Sequence, residues 1–124
     1  MEINGRLIGR EHPPYIIAEM SNNHLRNFDK ARQILTTAAQ CGVDAVKIQT
    51  YTPDSLTIDC QKSDFVIQDP LWRGKTYYQL YQEIAMPLEW TEKLFRFAQE
   101  LGITLFSSPF DESAVELLDS LNAP

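Results

Sequence analysis

Gly42 and Gly102 constrain this chain more than any other residues, because each closes an apolar stripe of helical spacing and is followed at once by a β-rich run. Ahead of Gly42, Phe28, Ala31, Ile34, Leu35, Ala38 and Ala39 recur at the interval of an amphipathic helix, with Asn27 placed to cap it. Ahead of Gly102, Pro87 opens a second stripe, with Leu94, Phe95, Ala98 and Leu101 facing inward. Glycine just past the last helical residue supplies the left-handed turn that ends a helix. Val43–Thr50 and Ile103–Ser107 then read as strands, and Tyr15–Glu19 as an earlier one. Asp111 caps a further predicted helix whose buried side is Ala114, Val115, Leu117, Leu118 and Leu121. Near the start, Asn4-Gly5 between apolar residues predicts a tight hairpin within residues 1–10.

This alternation gives three βα units, residues 15–42, 43–101 and 103–121, and right-handed crossovers make their sheet parallel. Such a sheet is either doubly wound or closed as a (β/α)8 barrel. A barrel takes about 250 residues. On that reading the 124 residues hold the N-terminal portion of a (β/α)8 TIM barrel, with Pro124 leading toward a fourth strand. In either architecture, sites gather at the carboxyl ends of the strands.

Composition removes several classes of function. Eleven basic against seventeen acidic residues leave a net charge of −6, and no Lys/Arg cluster marks a nucleic-acid footprint. No apolar window approaches the ~20 residues of a membrane span. Cys41 and Cys60 form no CxxC pair, and there is no charged-then-apolar leader, so a reduced, cytoplasmic protein is expected. Gly-rich dinucleotide or P-loop motifs are absent, which argues against nucleotide cofactors.

The run Asp44-Ala45-Val46-Lys47-Ile48-Gln49-Thr50 carries the chemistry. Strand residues alternate sides, so Lys47 and Gln49 point together, about 6–7 Å apart. A cation inside a strand is costly unless an anion meets it. Glu19 and Ser108 end the neighbouring predicted strands, which brings four polar side chains toward one end of the sheet.

Glu19-Met20-Ser21-Asn22-Asn23-His24, Val46-Lys47-Ile48-Gln49-Thr50-Tyr51-Thr52-Pro53-Asp54 and Phe106-Ser107-Ser108-Pro109-Phe110-Asp111 resemble, in order and spacing, the first three barrel strands of the sialic acid synthase family. The Ser-Asn-Asn-His and Ser-Ser-Pro-Phe-Asp versions are most similar to the pseudaminic acid branch. The resemblance implies condensation of phosphoenolpyruvate with an acylamino-sugar aldehyde. It also implies a divalent metal, Mn2+ or Mg2+, whose histidine ligands lie beyond Pro124. The family forms a homodimer in which an antifreeze-like domain reaches the partner's site; that domain and the rest of the barrel are absent from these residues.

By motif match, Lys47 corresponds to the lysine that contacts phosphoenolpyruvate, with an ion pair to Glu19 as the alternative. Glu19 would hold sugar hydroxyls and assist proton transfer. Gln49 offers a donor and an acceptor to the sugar, or bonds barrel backbone. Ser108 matches a hydroxyl position at the phosphate, or caps a helix. Asn23 would line the substrate pocket; Phe110 would line the sugar pocket or pack beside the helix start. His24 is expected to bond neighbouring backbone. Tyr51–Met86 is long and aromatic enough to cover a barrel mouth, with Tyr77, Leu80 and Tyr81 at helical spacing. Other readings are a different phosphoenolpyruvate-dependent sugar-acid synthase, such as an N-acetylneuraminate or legionaminate synthase, or a non-catalytic piece of a longer chain. Residues 1–124 alone are expected to be inactive and to self-associate through open sheet edges.

Overall fold

In the computed structural model, which covers Met1–Pro124, Asn4 and Gly5 turn the chain back on itself. Both take positive φ, 47° and 82°, as a two-residue hairpin turn requires, so β1 (Glu2–Ile3) pairs antiparallel with β2 (Arg6–Leu7). β3 (Ile17–Glu19) begins two residues after the expected Tyr15 start, because the Asp44 carboxylate accepts from the Ile16 amide at 2.6 Å. α1 (Phe28–Gln40) is capped by Asn27, whose side chain accepts from the Lys30 amide at 2.9 Å.

β4 (Ala45–Thr50) follows, and the long connection after it folds into α2 (Pro53–Leu56) and α3 (Tyr77–Ile84). Pro87 opens a 3-10 turn at Leu88–Trp90 and not the helix itself, so α4 spans Thr91–Leu101. Gly102, at φ 70°, ends it in the left-handed conformation. β5 (Thr104–Pro109) runs two residues past the expected end at Ser107. α5 (Glu112–Ser120) starts from Asp111, whose carboxylate accepts from the Ala114 amide at 2.7 Å.

The parallel strands stand in the order β3-β4-β5, the order of the chain, with no reversal. Strands added in one direction with their helices on one face are what the N-terminal part of a (β/α)8 barrel wall presents. α1, α4 and α5 cover one face, where Ala31, Leu35, Val46, Ile48, Leu94, Ala98, Leu105 and Leu118 form the core with Met20. Val115 does not join them: Ala114, Leu117, Leu118 and Leu121 follow the i, i+3, i+4, i+7 rhythm, and Val115 falls about 100° away and is exposed. The hairpin is fastened to the amino end of the sheet by Asn4, which donates to the Thr104 hydroxyl at 3.1 Å, and by an Arg6–Asp44 ion pair.

Candidate active site at the carboxyl end of the sheet

The burial of β4 alternates as its sequence does. Val46, Ile48 and Thr50 are buried toward the helices, while Lys47 and Gln49 are partly exposed on the other face. Parallel register then sets their neighbours: Glu19 pairs with Lys47, and Gln49 with Ser108. Residues paired across a parallel ladder share a face, so Glu19, Lys47, Gln49 and Ser108 stand together on the helix-free side. Lys47 Nζ lies 2.7 Å from Glu19 Oε2, with both side chains about a third to two-fifths exposed (35% and 40%). The pair is therefore accessible to an incoming anion.

Gln49 and Ser108 make no side-chain hydrogen bond within the chain, which leaves their polar atoms free for a ligand. Ser108 does not cap α5; Asp111 does. The preceding serine points the other way. Ser107 Oγ shares a 2.7 Å hydrogen bond with Thr50 Oγ1 and donates to the Ile48 carbonyl at 3.2 Å, binding β5 to β4.

The loop after β3 approaches the row from one side. Glu19 Oε1 accepts from the Ser21 amide at 3.1 Å, so this carboxylate is held by its own loop as well as by Lys47. Asn23 turns back on that loop: its Nδ2 donates to the Met20 carbonyl at 3.0 Å. His24 is buried, its Nδ1 accepts from the Arg26 amide at 3.0 Å, and its ring meets Trp90 edge-on at 5.7 Å. Burial, followed by the charge of Arg26, pushes its pKa below the usual value of 6.5. It is a structural histidine.

Phe110 is exposed at the other side and meets Tyr51 edge-on at 5.7 Å. Tyr51 also meets Tyr81 at 6.2 Å and donates to Asn22 Oδ1 at 3.2 Å. The aromatic segment after β4 is thus packed against the strand ends by Tyr51 and Tyr81, and Tyr78 donates to Asp54 at 3.2 Å within it. Trp72 is engaged by Lys75, whose ammonium lies 5.5 Å from the ring centre. The sequence reading did not single out Tyr51; its aromatic ring immediately after β4 was the available signal.

No three His, Cys, Asp or Glu side chains converge. His24, with Nδ1 already bonded and its ring enclosed, does not fit a divalent metal. The largest groove, about 400 Å³, opens on the helix side between β3 and α1 among Ala18, Ile34, Ala38 and Val43, away from the polar row.

The pattern described as the NeuB family matches residues 34–124, which include Lys47, Gln49 and Ser108. The chain belongs to the NeuB family. This NeuB family chain is 45% identical over 112 residues to the pseudaminic acid synthase of Helicobacter pylori, covering 90% of itself and 33% of that protein. It is 34% identical over 125 residues to the N-acetylneuraminate-9-phosphate synthase of Mus musculus, covering 97% of itself and 33% of that enzyme. It thus spans about a third of the length of these curated relatives. Among solved structures, N-acetylneuraminic acid synthetase of Leptospira borgpetersenii, determined in complex with citrate, superimposes with a TM-score of 0.78 at 20% identity. That match covers 99% of this chain and 38% of the other, and shows the shared fold.

Proposed function

We propose that these residues form the phosphoenolpyruvate end of a nonulosonic acid synthase of the pseudaminic acid type. The full-length enzyme would condense phosphoenolpyruvate with 2,4-diacetamido-2,4,6-trideoxy-altrose. The observation that carries this reading is the accessible Lys47–Glu19 pair standing in register with the unbonded Gln49 and Ser108. In the reaction, C3 of phosphoenolpyruvate forms a bond to the aldehyde carbon, water adds at C2, and the C2–O bond to phosphate breaks. The site must hold a polyanion and neutralise a developing alkoxide.

Lys47 supplies the charge-assisted partner for the phosphoenolpyruvate anion. When that anion takes the ammonium, Glu19 is released from its ion pair and accepts from sugar hydroxyls, still oriented by the Ser21 amide. Ser108 donates to the phosphate, while Gln49 offers an amide donor and acceptor to the sugar. Phe110 provides an apolar border. The divalent metal implied by the family would be held by residues outside this chain, as would the remaining barrel wall and the homodimer partner.

The identity to a pseudaminic acid synthase exceeds that to the N-acetylneuraminate-9-phosphate synthase, 45% against 34%, and this favours a diacetamido sugar as acceptor. Incubating the full-length protein with phosphoenolpyruvate, Mn2+ and a panel of acylamino sugars, with phosphate release and product mass as readouts, tests the proposal. Turnover with the 2,4-diacetamido-2,4,6-trideoxy sugar and formation of a nine-carbon acid is the expected result. Preference for N-acetylmannosamine or its 6-phosphate would transfer the chain to the N-acetylneuraminate branch, and phosphate release with no sugar would overturn the proposal.

A further inference from the structure

The loop between β3 and α1 holds three non-glycine residues at positive φ, Ser21 at 46°, Leu25 at 49° and Arg26 at 52°. Side-chain-bearing residues avoid this region, and they stay in it only where surrounding contacts over-determine the backbone. Most of those contacts are local. Glu19 accepts from the Ser21 amide, Asn23 donates to the Met20 carbonyl, and His24 accepts from the Arg26 amide. Two side-chain bonds come from or reach another element. Arg26 Nη1 donates to the Gln82 carbonyl at 2.7 Å, and the Tyr51 hydroxyl donates to Asn22 Oδ1 at 3.2 Å.

The Tyr51 bond is the better placed of the two. Arg26 is exposed, whereas Tyr51 is only 4% exposed, with its ring wedged edge-on between Tyr81 and Phe110. Those rings belong to α3 and to the turn after β5, so one phenol ties together the chain segments that follow all three parallel strands. Burial raises its pKa above the ordinary phenol value.

We propose that Tyr51 is a positioning residue, the latch that holds Asn22 and with it the strained Ser21–Arg26 loop, so that Glu19 and Asn23 are set for the acceptor sugar; this rests on the synthase reading given above. Phosphoenolpyruvate, held by Lys47 on β4, depends on that loop only indirectly, through the Glu19 carboxylate that Ser21 and Lys47 share. Tyr51→Phe removes the hydroxyl and keeps the ring, and Asn22→Ala removes the acceptor on the loop.

Two measurements on the full-length protein separate the latch from the function. Amide hydrogen exchange over residues 20–26 is expected to accelerate in both variants, whether or not the protein turns over substrate. In kinetics, both variants are expected to raise the KM for the acceptor sugar about three- to tenfold, as for one lost hydrogen bond, with a smaller rise in the KM for phosphoenolpyruvate. The double variant should be no worse than either single one. Unchanged exchange over residues 20–26, or an equal rise in both KM values, would overturn the latch. Faster exchange in a protein that makes no nine-carbon acid would support the latch and remove the synthase reading.

Discussion

Glu19 and Lys47 are register partners on neighbouring parallel strands, and the carboxylate of one lies 2.7 Å from the ammonium of the other. Neither charge is locked in the interior, so an incoming anion can take the place of Glu19 on Lys47. A buried pair would resist such exchange, because separating it leaves an uncompensated charge. Glu19→Gln keeps a hydrogen-bonding group but removes the charge. In the full-length enzyme it is expected to raise the KM for the acceptor sugar by about ten- to a hundredfold, with a smaller effect on phosphoenolpyruvate. Steady-state kinetics with each substrate varied in turn checks this, and equal effects on both would make Glu19 merely structural.

His24 gives stability a pH dependence of defined sign. Its folded-state pKa is pushed below 6.5 by burial and by Arg26, so folding favours the neutral ring. The stabilisation is complete above the unfolded value of 6.5 and is lost as pH falls below it toward the folded value. Protonation would also occupy Nδ1, the acceptor for the Arg26 amide. Thermal midpoints at about pH 7.5 and pH 5.5 should fall more for the wild type than for His24→Asn, which keeps an acceptor and does not titrate. Equal falls would contradict the assignment.

Asp111 fixes the start of α5 directly after Phe110. Its carboxylate accepts from the Ser113 hydroxyl and the Ala114 amide, each at 2.7 Å, and these bonds hold its pKa below the ordinary carboxyl value. Asp111→Ala is expected to destabilise the fold, as for loss of a helix N-cap. Denaturant titration reads this as a shift in midpoint at constant slope. Asp111→Ser, which retains a capping oxygen, should recover most of the loss.

The hairpin depends on Asp44. One carboxylate oxygen accepts from the Ile16 amide and the other pairs with Arg6, so one side chain fixes both the start of β3 and the hairpin beneath it. Asp44→Ala is expected to destabilise by about 1–3 kcal/mol through the lost bond to the Ile16 amide, whereas Arg6→Ala should cost about 1 kcal/mol or less. Chemical denaturation of the two variants distinguishes them, and equal losses would place the anchor in Arg6, through its ion pair, its bond to the Pro14 carbonyl and its contact with the Tyr15 ring.

Features that depend on near neighbours in the chain were legible in the sequence. Asn4-Gly5, Asn27, Gly42, Gly102 and Asp111 each act within a few residues, and all occupy the turns and caps that their chemistry suits. Period-two alternation likewise placed Lys47 and Gln49 on one face. Long-range contacts were not legible in this way. The Asp44 carboxylate, 28 residues from the Ile16 amide, moves the start of β3, and the Tyr51 hydroxyl reaches Asn22 across 29 residues. Val115 shows a second limit: a β-branched apolar residue beside a buried stripe looks in sequence like part of it, although one step along a helix turns it toward solvent.

The central claim is that Lys47 meets the phosphoenolpyruvate anion at the carboxyl end of the sheet. Calorimetric titration of phosphoenolpyruvate into the full-length wild type and its Lys47→Ala variant, folded equally by circular dichroism, tests this most directly. A loss of about 2–4 kcal/mol in binding is predicted, roughly a thirty- to thousandfold rise in Kd, as for removing one partner of a close charge interaction. Equal affinity in the two proteins would contradict the account.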